Sequence, residues 1–159
     1  MNTKKLAKGA TVAAIYVVLT MALPAYTSLQ FRVSEIMVLL AYYNPFYIFP
    51  LTLGCALANI ASPFGIFDVI FGSLATFLAT TCMSKTKNMY LASLWPTFFC
   101  FIIGLEILIL SAEPVNFFLV TGQIMLSEFI IVTIVGVPVM KKLMKNRSFS
   151  KLVLDVGEE

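Results

Sequence analysis

The chain has 159 residues, of which 60% are apolar and 12% charged, with a net charge of +3, fourteen phenylalanines and no histidine. Its mean hydropathy of +0.94, carried by recurrent apolar runs of about 18 residues or more, excludes an ordinary soluble domain. The basic residues are scattered over short segments, which excludes a nucleic-acid-binding face, and the missing histidine removes the commonest metal ligand and general base.

The N-terminal stretch MNTKKLAKGATVAAIYVVLTMALPAYTS has the basic start and apolar body of a signal peptide. More runs of the same kind follow, so it reads as an uncleaved first span over about 6–23. That span carries small residues on two adjacent ridges, Gly9 with Ala13 and Ala10 with Ala14. Small residues four apart let another helix approach closely in a bilayer, either inside the protein or from a partner protein.

A break at LPAYTSLQ leads to QFRVSE and a short second helix over 33–43. Arg32 and Glu35 share a face there if the segment is helical. They read either as an ion pair capping the helix start, where an acid is favoured, or as ligand contacts. YYNP separates this helix from a third over 45–60, with Asn59 near its outer end. In NIASPFGIFD, Pro63 and Gly65 fit a tight turn and Asp68 suits the first turn of a fourth helix over 67–83. Asn59 and Asp68 flank that turn closely enough to line one pocket. After SKTKN a fifth helix covers 89–110 and contains Glu106; after SAEPVN a sixth covers 115–140 and contains Gln123 and Glu128. Residues 141–159 form a basic tail. Cys55, Cys82 and Cys100 lack metal-ligand spacing and read as packing or lipid-facing residues. Phe31, Phe67, Trp95 and Phe98 read as rings for a flat ligand or as lipid contacts and core filling.

The expected fold is an all-α, six-span membrane bundle. Ten of the eleven basic residues then fall on one side, which the positive-inside bias makes the cytoplasm, with both termini there. Arg32 is the remaining one, outside. Glu35, Asp68, Glu106 and Glu113 gather in the outer half with Asn59 and Gln123, and Glu128 falls near the membrane middle. An ionisable group within a membrane costs several kcal/mol unless it faces protein, water or a partner. A pocket opening outward is the simplest arrangement. Glu106 and Glu128 sit in apolar runs with no basic neighbour in sequence. Their partner is Arg32 or a ligand cation, or they are neutral and hydrogen-bonded.

Together QFRVSE, LTLGCALANIASPFGIFDVIFGSLATFLA, GLE in the fifth helix and SEFIIVTIVGVPVMKKL resemble the QueT family. These are queuosine-precursor substrate-binding subunits of energy-coupling factor (ECF) transporters. The resemblance runs from about Lys4 to Lys145; where the family pattern has Gly-Glu, this chain has Ser127-Glu128. It implies a six-helix subunit in the plasma membrane of a prokaryote, holding a 7-deazaguanine at its outer face. Two ATPase subunits and a transmembrane coupling subunit supply the energy, and no cofactor is bound by this chain. Gly9, Ala10, Ala13 and Ala14 form the surface expected to dock the coupling subunit, with Ala10 and Ala14 fitting the family's A-x-x-x-A spacing. Arg32, Glu35, Asn59, Asp68, Glu106, Gln123 and Glu128 are the expected substrate-binding set.

The chain has no phosphate-binding loop, so ATP hydrolysis belongs to a partner. Three alternatives stand beside this reading: capture of another small vitamin-like molecule, an autonomous proton-coupled transporter, and an intramembrane enzyme built on a carboxylate dyad. The autonomous transporter predicts internal repeats, which are not evident. Without histidine, or lysine within a span, the enzyme has few groups to work with.

Overall fold

Four asparagines start four helices. The side-chain oxygen of Asn44 accepts from the Phe46 N–H, that of Asn88 from Tyr90 and Leu91, that of Asn116 from Leu119, and that of Asn146 from Ser148 and Phe149. A helix N-terminus leaves donors without intrahelical partners, and an asparagine oxygen satisfies them without bringing a charge toward the bilayer.

The computed structural model describes residues 3–22, 32–62, 64–112 and 114–155. The helices are α1 (Thr3–Ala22), α2 (Val33–Tyr43), α3 (Pro45–Asn59), α4 (Ile66–Ser84), α5 (Met89–Leu110), α6 (Phe117–Met144) and α7 (Arg147–Leu154). No strand occurs among the described residues. With 20, 19, 22 and 28 residues, α1, α4, α5 and α6 are long and apolar enough to cross a hydrocarbon core of ~30 Å. Phe49, Ile109 and Phe118 lie 74%, 71% and 84% exposed on the outer surface, a surface suited to lipid. The chain is an all-helical, multi-pass membrane protein.

The apolar helices α2 and α3 are shorter. The first seven residues of α2 are 3-10 helix, which rises about 2.0 Å per residue against 1.5 Å in an α-helix and lengthens a short element. Between α2 and α3, Asn44 is extended and Pro45 opens the next helix, a position where proline has no needed N–H to lose. The chain reverses there, because Arg32 at the start of α2 bonds Asn59 at the end of α3. YYNP is therefore a hairpin and not a kink.

Close approach fixes how α1 meets α3. A Cβ on Gly54 would lie 3.0 Å from the Tyr16 Cβ and 3.1 Å from the Ala13 carbonyl oxygen. Ala13 is consequently buried. One turn earlier, Gly9 meets Pro50, whose Cγ would stand 3.2 Å from an added Cβ. The two small-residue ridges thus divide: Gly9 and Ala13 pack inward on α3, while Ala10 and Ala14 are exposed.

In α6, residues Phe129–Gly136 adopt π-helix. Pro138 follows, and its ring has no N–H to donate and crowds the carbonyl one turn back, so the preceding turn widens. The segment after Lys141 is more than a tail. Phe149 and Val153 of α7 pack against the core around Tyr47. The Tyr47 hydroxyl donates to the Val153 carbonyl at 3.1 Å, the Asn44 amide to Leu154 at 3.3 Å, and Lys8 to Leu152. Nearby, Tyr42 donates to the Lys87 carbonyl at 2.8 Å. These bonds gather the start of α1, the α2–α3 and α4–α5 connections and α7 at one basic end of the bundle.

Candidate ligand-binding site

At the opposite end lies a cavity of about 130 Å³, roughly ten times the ~10–15 Å³ that one water needs. Its charged lining consists of Arg32, Glu35, Asp68 and Glu128, joined by Asn59. These residues come from the start of α2, the end of α3, the start of α4 and the middle of α6.

The α3–α4 turn sets the first side of the wall. Gly65 has φ of +56°, in the left-handed region where a side chain is strained. The turn lets Asp68 reach back so that its Oδ2 accepts the Phe64 N–H at 3.1 Å. Asn59 then spans the gap between the helices: its Nδ2 donates to the Asp68 carbonyl at 3.1 Å and its Oδ1 accepts from Arg32 Nη1 at 3.2 Å. Only glycine at 72 permits this, since a Cβ there would overlap the Asn59 amide nitrogen.

Arg32 and Glu35 do not form the capping ion pair that their spacing allows. Arg32 caps nothing with its side chain and turns to Asn59, while Glu35 receives the Tyr16 hydroxyl on Oε1. One turn further along α1, Thr20 donates to the Ser34 hydroxyl at 2.7 Å. Helix α1 therefore grips the Ser34–Glu35 corner, although no residue of α1 lines the cavity. Glu128, the twelfth residue of α6, is 8% exposed and lines the cavity.

Two members of the expected set stand off the wall. Glu106 is 1% exposed, and neither of its oxygens has a hydrogen-bond partner among the described residues. It is not among the residues that line the cavity, although Ile103 and Ile107 of the same helix are. Gln123 is half-buried, and its backbone carbonyl accepts the Ser127 hydroxyl at 3.0 Å. Glu113, Phe31 and Pro63 lie outside the described residues.

Sequence reasoning missed Tyr16, Thr76 and the placement of Cys55 and Cys100. The Cys55 sulfur accepts from Asn59 at 3.5 Å and from Thr76 at 3.3 Å, and both cysteines line the cavity. The available signal is helical spacing: Cys55 stands one turn before Asn59, and Gly72 and Thr76 follow Asp68 at one-turn intervals. Among the rings, Phe64 lines the cavity, Phe67 and Phe98 are exposed, and the Trp95 indole N–H donates to Thr86 at 2.9 Å.

One guanidinium among three carboxylates, an amide and apolar walls suits a small polar ligand rich in N–H donors. Such a ligand offers its donors to the acids and its acceptor to Arg32, and a positive charge on it balances the excess of acid.

The sequence profile described as QueT transporter matches residues 6–145. The chain is also 35% identical over 161 aligned residues to the queuosine precursor transporter QueT of Lactococcus lactis subsp. cremoris (strain MG1363), spanning 89% of this chain and 93% of that protein. No solved structure matches the chain.

Proposed function

The chain belongs to the QueT transporter family, and from that premise we propose that its cavity captures a queuosine precursor, a 7-deazaguanine with a small substituent, from outside the cell. The observation that carries this reading is the convergence of Arg32, Glu35, Asn59, Asp68 and Glu128 on one cavity. The Lactococcus relative's activity supports the substrate class. A deazaguanine donates from its ring nitrogen and exocyclic amine, which the carboxylates accept, and its carbonyl accepts from Arg32. Each charge-assisted bond contributes roughly 1.5–3 kcal/mol. Two or three of them, with ring burial, approach the ~12 kcal/mol of a nanomolar complex.

Size favours the smaller precursors. A cavity of about 130 Å³ has room for many water-sized volumes, and a fused ring with a small aminomethyl or cyano group needs less of it than queuine, which adds a cyclopentene diol. The three carboxylates favour the aminomethyl form, whose ammonium balances their charge.

In this reading all six helices α1–α6 cross the plasma membrane of a prokaryote, with the basic end in the cytoplasm, as the distribution of lysine favours. The chain binds and does not catalyse. Its sequence has no phosphate-binding loop, so two ATPase subunits and a transmembrane coupling subunit of an ECF module drive import. The exposed Ala10 and Ala14 on α1 suit docking to that coupling subunit.

Calorimetric titration of the purified chain with queuine, 7-cyano- and 7-aminomethyl-7-deazaguanine tests the substrate. Submicromolar binding of the aminomethyl compound is expected, and no binding of any of the three at micromolar concentration refutes the assignment. Uptake into liposomes by this chain alone under a proton gradient, without partner subunits, refutes the ATP-driven mechanism.

A further inference from the structure

Tyr16 lies outside the cavity lining yet holds one of its carboxylates. It is fully buried, and its ring packs on α3, where an added Cβ on Gly54 would stand 3.2 Å from the Tyr16 Cγ. Its hydroxyl crosses to α2 and donates to Glu35 Oε1. The rest of the corner is tied in parallel, through Thr20 and Ser34, by a bond that does not involve Glu35.

We propose that Tyr16 is a positioning residue for ligand recognition: by occupying Oε1 of Glu35, it leaves the other carboxylate oxygen to the ligand and fixes the direction in which that oxygen points. This rests on the reading of the cavity as the ligand site and names the part that α1 plays in it.

Conformational freedom is what the tyrosine removes. A glutamate side chain has three rotatable bonds, and a buried carboxylate without a fixed partner spreads over several rotamers. The α2 backbone fixes where Glu35 begins, since its N–H bonds the Arg32 carbonyl at 3.0 Å, but not where its oxygens end. Tyrosine supplies a rigid arm with only two rotatable bonds, clamped by Gly54. The arrangement also ties the site to the seat of α1. Any displacement of α1 from α3 carries the hydroxyl away from Glu35 while every cavity-lining residue stays on its own helix.

The test compares two variants that each remove one hydroxyl from the α1–α2 contact, Tyr16→Phe and Thr20→Val. Affinity for 7-aminomethyl-7-deazaguanine is measured by calorimetry and stability by thermal melting. The infrared carboxyl band that disappears in Glu35→Gln is then followed without ligand. Tyr16→Phe is expected to weaken binding by about tenfold or more and to shift the Glu35 band, while Thr20→Val stays within about threefold and leaves the band in place. Equal losses in the two variants, or an unmoved band in Tyr16→Phe, overturn the proposal. A wild-type chain that binds no probe overturns the ligand reading instead, and the infrared comparison then decides by itself whether Tyr16 directs Glu35.

Discussion

The Arg32 guanidinium donates to the Asn59 amide oxygen across 3.2 Å, and this bond turns two short helices into one side of a binding wall. The same amide donates onward to the Asp68 carbonyl, so α2, α3 and α4 are joined through one asparagine. An amide suits this position because it accepts from the cation and donates to the carbonyl at the same time.

Gly72→Ala tests that junction from behind. The added methyl would overlap the Asn59 amide nitrogen, and the carboxamide would have to swing away from Arg32 or Asp68. Ligand affinity should fall about tenfold or more, and overpacking should cost about 1–3 kcal/mol of stability. Calorimetry and thermal melting of the variant check both. Unchanged affinity would mean that the orientation of Asn59 does not matter to the site.

Glu128→Gln should change which precursor is preferred. It keeps the shape of the side chain and removes its charge at a position lining the cavity. Binding of 7-aminomethyl-7-deazaguanine should weaken by about 10- to 100-fold, while the neutral 7-cyano compound stays within about threefold. Parallel titrations of the two ligands decide it. Equal losses for both would assign Glu128 to the common ring instead.

Removal of α7 should separate stability from binding. Val153 is buried and Phe149 half-buried against the core, so deletion of residues 147–159 should cost about 2–4 kcal/mol by lost apolar burial. The cavity is at the other end of the bundle, and affinity should hold. Thermal melting and titration of the truncated chain check this; a matching loss of affinity would mean that the two ends are coupled.

How much of this was legible in the sequence depended on contrast. Polar punctuation such as YYNP and SKTKN stands out against apolar runs, so helix ends could be read from it. Arg32, Glu35, Asn59 and Asp68 lie at those ends, where the turn constrains their direction, and their convergence follows. Glu106 was harder. In GLEILIL every face of the helix is apolar, so nothing in the pattern tells whether the carboxylate points into the cavity or behind its wall. Tyr16 was invisible for another reason: its partner Glu35 lies on a different helix, and a tyrosine in an apolar run reads as packing. The π-helical turn was in principle legible from Pro138. α7 was hidden because its basic residues dominate a short amphipathic repeat.

If the cavity is the ligand site, the wall around Arg32 recognises a deazaguanine. Titration of 7-aminomethyl-7-deazaguanine into the wild-type chain and Arg32→Ala, side by side, tests it most directly. Submicromolar binding to the wild type and at least about tenfold weaker binding to the variant are expected. Equal affinity for the two chains would contradict it.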